Sequence, residues 1–526
     1  MAVARVACRA QVGLTAPPVH VEVSLASGLP MFCIVGLAAT VVRESKERVR
    51  AALIHSGFEF PAGRITVSLS PADLPKEGGR FDLPIALGIL LASGQVRVPA
   101  TGESAARAGC EYYGELGLTG ELNPVPGLLP AAVHAQRHGH ELIVPRANAA
   151  EAGAAAPARA RAAGHLLEVC AHLRGTAPLP LCREGPTAAD GCGRARTNTR
   201  LDLADVRGQT RAKRALIIAA AGGHSLLMIG PPGSGKSMLA QRLPDLLPAL
   251  SPDEALEVAA IAAVSAAGFD PAQLGARPFR TPHHTASAAA LVGGGARARP
   301  GEVSLAHHGV LFLDELPEFT RGVLEALREP LETGVVSVAR SSLQVQYPAA
   351  FQLIAAMNPC PCGRLGDSSG ACNCPGTKVQ RYRGRISAPL LDRLDLHVEV
   401  PRVAPAEFEA RGANLPSSDT AAAAVAAARD VQRNRQGVCN ARLTDADVMR
   451  WCAPDAPGRR LLQSAVERFG FSARARTRVL KVARTIADLE GRPGVGAQQV
   501  GEAVMLRCLD RAGPSAEIAG SNFGGQ

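Results

Sequence analysis

The chain has 526 residues, 47% of them hydrophobic and 20% charged, which is enough for several cores and too apolar for a disordered polypeptide. Lys+Arg number 57 against 47 Asp+Glu, a formal +10 that suits a polyanionic partner without requiring one. Aromatics are 3%, with Trp451 the single tryptophan, which argues against a platform that grips single strands by base stacking.

Residues 1–172 read as a mixed α/β domain. The opening stretch, MAVARVACRAQVGL, lacks the continuous apolar run of a signal peptide. Nowhere does an apolar run reach the roughly 18 residues that span a bilayer, so a cytoplasmic protein without membrane contact is expected. Residues 19–28 alternate as a strand, residues 42–57 have helical periodicity, and residues 64–70 form another strand. The alanine-rich stretch at 148–164, with spaced arginines, predicts a surface helix. A polar segment containing proline and glycine marks a linker at 173–202. A second α/β unit follows at 203–404, then a helical unit at 405–512 and a disordered tail at 513–526.

The strongest motif is GPPGSGKS: Gly230, Pro231, Pro232, Gly233, Ser234, Gly235, Lys236 and Ser237. It follows the apolar strand SLLMI and precedes a helical run, the setting a P-loop needs. Its glycines turn backbone N–H groups toward phosphate, Lys236 supplies the cation for the β/γ-phosphates, and the Ser237 hydroxyl reaches Mg2+. With only six lysines in the chain, a chance match to this pattern is improbable. Further on, GVLFLDE places Asp314 and Glu315 at the end of a buried strand. Asp314 would hold the magnesium of bound ATP, and Glu315 would orient and deprotonate the attacking water. FQLIAAMN ends on Asn358, which either positions the lytic water or only caps the strand.

Directly after it, Cys360, Cys362, Cys372 and Cys374 form C-x-C, nine residues, C-x-C. Four thiolates that close suit a tetrahedral structural Zn2+, with free thiols or a redox pair as the alternative. The other nine cysteines show no ligand spacing, as expected of reduced small hydrophobes. Arg381, Arg383 and Arg385 beside this loop offer sequence-independent contacts to phosphates. The scarcity of lysine, with 51 arginines, fits either GC-rich coding or a DNA-binding surface.

The runs RTPHHTASAAALVGGG and PGEVSLAHHGVLFLDELPEF resemble the magnesium-chelatase-like branch of AAA+ proteins, and within it the ComM/YifB family. So do GLPMFCIVGL, PADLPKEGGRFDLPIALGIL, LADVRGQ and SARARTRVLKVARTIADL, so the resemblance spans nearly the whole chain. It implies a homo-oligomeric ring, expected to be a hexamer, of the helix-2-insert type related to replicative MCM helicases. It also implies an association with natural transformation, where the family promotes branch migration of incoming DNA alongside recombination proteins. In AAA+ terms, Asn358 matches the first sensor and Arg393, in LLDRLDLHVEV, the finger arginine that enters the next subunit's site. An ion pair with Asp392 or Asp395 is the alternative for Arg393. Arg474, with Arg476 behind it, would reach the γ-phosphate from the helical lid; the alternative is an exposed helix face. Inserted hairpins of related rings contact DNA, and here Gly293, Gly294 and Gly295 permit one. His283 and His284 just before it could be ligands, but a local structural role is the expectation, since no acidic or cysteine partner lies nearby to complete a metal site.

The N-terminal unit resembles the proteolytic domain of Lon, but the nucleophile position falls at Arg80 and that of the base near Ala131. Arginine is no nucleophile and alanine no base, so peptidase activity is not expected. The leading expectation is an ATP-hydrolysing DNA motor, with a magnesium-chelatase-type motor subunit or a protein-remodelling ATPase as alternatives.

Overall fold

The computed structural model describes residues 2–36, 40–74, 76, 78–99, 109–182, 201–295, 298–340, 343–366, 372–403, 417–507 and 509. The tail at 513–526 and most of the expected linker therefore lie outside the described residues.

In the N-terminal part, strands Ala2–Arg9, Pro18–Ala26 and Arg64–Ser70 pair antiparallel in that order, and the alternation VHVEVSL puts Val19, Val21 and Val23 into the core. Met31–Val35 joins one edge, and Cys110–Tyr112, Glu141–Pro145 and Ala160–Ala163 extend the other in parallel, giving seven strands. The apolar helix Asp82–Ala92 lies across Ala2–Arg9 and Pro18–Ala26 with every residue but the last two buried. The alanine-rich stretch corrects the expected surface helix: it is a short helix, Ala149–Ala155, followed by the Ala160–Ala163 strand, both largely buried. Small side chains here allow close packing rather than a solvated face. Backbone bonds from Ala162 to Pro180 and from Cys182 to Ala160 hold the chain to this unit as far as residue 182.

The second unit is a five-stranded parallel sheet ordered Phe279–Arg280, Val310–Leu313, Gln352–Met357, Leu226–Ile229, Leu396–Glu399. Its central strands, LLMI, VLFL and LIAAM after Gln352, are apolar because both faces are covered. Leu226 and Met228 point into one core with Val310, Phe312, Ile354 and Ala356. Leu227 and Ile229 point into the other with Leu311, Leu313, Leu353 and Ala355. Against the first face pack Thr210–Gly222 and the helical region, chiefly Ser418–Gln436 and Ala473–Leu489. Over the second lie Arg321–Ala326, Arg328–Thr333 and a six-residue antiparallel hairpin, Val335–Arg340 with Leu343–Pro348.

The glycine hairpin is present: Gly293 pairs with Pro300 and Gly294 with Arg299. At Gly293, with φ +116, an added Cβ would fall 2.6 Å from the Arg299 carbonyl oxygen, so that approach needs glycine. Contacts between the two units include the following. Ala259, Ala260 and Ala263 of helix Pro252–Val264 belong to the N-terminal core. The tight turn at residues 12–15 seats Gly13 against Val345 and Tyr347 of the long hairpin. Among the described residues no helix is long and apolar enough to cross a membrane.

Candidate nucleotide site

The loop after Leu226–Ile229 turns through Gly233 (φ +75) and Gly235 (φ +92) into helix Lys236–Ala240. Gly230 cannot be larger, since a Cβ there would lie 2.1 Å from the Val400 carbonyl oxygen. Lys236 is buried and donates to the carbonyls of Gly230 at 2.7 Å and Pro231 at 2.9 Å, and to Asn358 Oδ1 at 3.3 Å. Burial lowers its ammonium from the ordinary value, while Asp314 and Glu315 pull the other way.

The Ser237 hydroxyl donates to Asp314 Oδ2 at 2.6 Å, so the two groups expected to flank magnesium already meet. The other Asp314 oxygen accepts from the Glu315 backbone N–H at 2.9 Å, and Glu315 itself has φ +52. That left-handed turn at a non-glycine residue swings the Glu315 side chain off the strand end, a strain of the kind found at functional sites. The Asn358 strand lies between those of the P-loop and Asp314, so all three elements converge at the C-terminal edge. A cavity of about 360 Å³ opens there, lined by the P-loop with Asp314, Glu315 and Asn358.

His284 departs from expectation, because an acidic partner is near it in space: its Nδ1 lies 3.5 Å from Glu315 Oε2. His283 instead bonds Thr285 Oγ1 at 2.8 Å. His284 is the site residue that spacing could not find, since its contact spans two separate elements.

Arg393 and Arg474 do not line this cavity. Arg393 is buried, donates to Pro389 O at 2.7 Å and is ion-paired with Glu332. Asp395, one partner anticipated for it, is taken by Arg478 and His224. Burial alone would raise the Asp395 carboxyl, but Arg478 holds it well below the usual carboxylate range, with His224 adding to the effect. Burial lowers the Arg393 guanidinium, Glu332 raises it, and the charges of Arg328, Arg474 and Arg478 lower it again. Arg474 is exposed on its helix, and its charge acts on Arg393.

The cysteines converge. Sγ of Cys360 is 3.3 Å from Cys362 and 3.7 Å from Cys372, Cys362 is 3.7 Å from Cys372, and all four sulfurs lie within 4.8 Å of one another. A tetrahedron with Zn–S bonds of about 2.3 Å has edges of roughly 3.8 Å, whereas a disulfide needs about 2.05 Å, so the set fits zinc. The Arg364 backbone N–H, then the Cys360 and Cys374 thiols, pull Cys362 down to about 6. This loop also leans on the nucleotide loop: Gly363, φ +76, sits where a Cβ would be 2.5 Å from Pro232 Cδ. Of the neighbouring arginines, Arg383 donates to Pro359 O at 3.2 Å and Arg385 pairs with Glu318 at 2.7 Å, while Arg381 is exposed.

A P-loop strand, an acidic strand end and an intervening strand with its polar amide define a chelatase-like protein of the AAA+ class. Three family models match, described as magnesium chelatase, subunit ChlI (residues 202–408), subunit ChlI of Mg-chelatase (21–148) and magnesium chelatase, subunit ChlI C-terminal (416–507). The chain is 47% identical over 511 residues to protein YifB of Salmonella typhimurium, covering 97% of this chain and 98% of the relative. It is 44% identical over 513 residues to competence protein ComM of Haemophilus influenzae, with the same coverage. The 38 kDa magnesium-chelatase subunit of Rhodobacter capsulatus is 24% identical over 62% of this chain and 94% of that protein. The chain belongs to the magnesium-chelatase-like ComM/YifB family.

Proposed function

We propose that the protein is a ring-forming ATPase that acts on DNA as a motor, promoting branch migration during recombination of incoming DNA. The convergence of Lys236, Ser237, Asp314, Glu315 and Asn358 on one cavity is the observation that carries the ATPase reading. The DNA reading draws on the 44% identity to competence protein ComM, the basic excess, and two antiparallel hairpins.

Lys236 exchanges the Gly230 and Pro231 carbonyls for the β/γ-phosphates, so the loop is preorganised for an anion. Ser237 and Asp314 would hold magnesium, which neutralises the charge building on the phosphates. Glu315 accepts the proton of the attacking water, with His284 fixing where its carboxylate waits, and Asn358 Oδ1 orients that water. Arg393 and Arg474, neither of which lines the cavity of its own chain, supply charge to a neighbouring copy's phosphates. Arg80 and Ala131 are both buried, and the Arg80 guanidinium is held by Gln11 and the Pro126 carbonyl, so these positions offer no peptidase pair.

The test is steady-state ATP turnover with and without single-stranded DNA and a four-way junction at low salt. Stimulation by DNA is expected; no response to either form would remove the DNA motor. A chelatase-type motor subunit is the second reading, favoured by the Rhodobacter capsulatus relative. It predicts turnover indifferent to DNA and responsive to a tetrapyrrole-binding partner.

One structural Zn2+ per chain is proposed at Cys360, Cys362, Cys372 and Cys374, which would rigidify the loop that supports Pro232. Metal analysis should find about one zinc per chain, lost in Cys360→Ser/Cys372→Ser. Because the loop props the P-loop, that variant should also bind nucleotide about three- to tenfold more weakly, a loss of roughly 1 kcal/mol of preorganisation. Metal-free wild-type protein of unchanged affinity would remove the site.

A further inference from the structure

The parallel strands that bring the nucleotide groups together have a second end. There, among Gly223, Gly309 and Gln352, which precede or begin Leu226–Ile229, Val310–Leu313 and Gln352–Met357, lies a separate cavity of about 230 Å³. Four residues of strand separate the two sites by roughly 13 Å of backbone. Arg277, Arg429, Arg433 and Arg442 line it with His308, and Glu254 is the one acid among the described lining residues.

The positive charge is largely uncompensated. Arg277 is partly buried and, among the described residues, its hydrogen bonds go to carbonyls, those of His308 and Pro248. Burial, with the Arg429 charge next, lowers it to about 10 against an opposite pull from Glu254, so it still carries its proton near neutrality. Arg429 uses Nε and one terminal nitrogen on the Ala220 carbonyl and the other terminal nitrogen on Cys439 Sγ at 3.2 Å. A guanidinium has five N–H donors, so both side chains keep donors free. At the rim, Arg433 has, among the described residues, a loose, exposed pair with Asp430 at 3.7 Å, and Arg442 stands exposed. Glu254 is already committed to the Ser251 cap at 2.9 Å and lies 3.7 Å from His308.

A metal is the competing occupant, because His307, His308 and Glu257 cluster beside the cavity. The hydrogen bonds argue against it. The Ala350 backbone N–H donates to His307 Nδ1 at 3.0 Å, so the lone pair is used there and the proton of the neutral ring sits on Nε2, facing Glu257 Oε2 at 3.2 Å. Burial, then the His308 charge, drives His307 to about 4, which keeps that ring neutral. His307 therefore has no ligand atom to offer toward the cluster.

We propose that this arginine-lined cavity, at the edge of the sheet opposite the P-loop, is a second oxyanion site that takes a phosphoryl group. Guanidinium forks match phosphate oxygens in pairs, and the cavity has room for a group the size of pyrophosphate. The proposal does not depend on ATP hydrolysis. Its phosphate can come from a small soluble compound or from a nucleic-acid backbone.

The experiment uses full-length Lys236→Ala, which silences the P-loop, with and without Arg433→Ala/Arg442→Ala at the exposed rim. Inorganic pyrophosphate is titrated calorimetrically, and binding of a fluorescent single-stranded oligonucleotide is followed by anisotropy at several salt concentrations. Thermal melts check that the rim changes leave the fold intact. Pyrophosphate binding that weakens at least about tenfold in the rim variant assigns a soluble phosphate compound. A salt slope for the oligonucleotide that falls by about 1.4, two contacts at roughly 0.7 each, assigns a backbone phosphate. If neither quantity moves, the cavity is not an oxyanion site and the proposal fails.

Discussion

Lys236→Ala is expected to reduce steady-state ATP turnover by at least about 10²–10³, the loss typical of removing one preorganised electrostatic group. The lysine is held ready by the Gly230 and Pro231 carbonyls and Asn358 Oδ1, so alanine removes the cation and its aim together. Fold stability should change little, because the same substitution ends the cost of desolvating a buried ammonium. The check is phosphate release under saturating ATP, beside titration with a fluorescent ATP analogue. Turnover within tenfold of wild type would place hydrolysis elsewhere.

Arg393→Ala is expected to cost roughly 10³–10⁵ in turnover if the side chain acts as a finger in a neighbouring subunit. Glu332, which it would leave, has a side chain 48% exposed, so the abandoned carboxylate is solvated and the fold is kept. The readout that separates the two roles is mixing. Lys236→Ala and Arg393→Ala proteins, each inactive alone, should regain part of the activity together, because some interfaces then pair an intact P-loop with an intact arginine. Full activity in Arg393→Ala would leave the Glu332 ion pair as its whole role. An inactive variant that mixing does not rescue, though folded by thermal melt, would assign it a role within its own chain.

The candidate nucleotide site was legible in its parts because each part is contiguous: a strand, a fixed turn and the polar residue that follows it. Gly230, Lys236, Asp314 and Asn358 are all of this kind, and the sheet brings them together at one edge. What escaped depends on pairs the chain does not keep close. His284 meets Glu315, and Arg393 meets Glu332 rather than the nearer Asp392 or Asp395. The Cys360–Cys374 spacing was visible, but its seat against Pro232 was not, because that contact belongs to two loops. The alanine-rich stretch misled for a local reason: small residues carry little amphipathic signal, so buried helix and surface helix look alike. The second cavity draws arginines from three separate stretches, and no periodicity announces that.

The turn at Gly13 has a consequence for how such a chain can change over time. A side chain added there would begin 2.2 Å from Val345 Cγ1, at a backbone angle, φ +59, that few residues other than glycine accept. Val345 is in turn buried with Tyr347, whose hydroxyl donates to the Ala298 carbonyl at 2.8 Å beside the glycine hairpin. A larger residue at either end therefore has no room unless the other gives way. The turn near the start of the chain and the hairpin in its middle are bound to drift as a pair, and exchanging one unit for a distant cousin's would carry the mismatch into the seam.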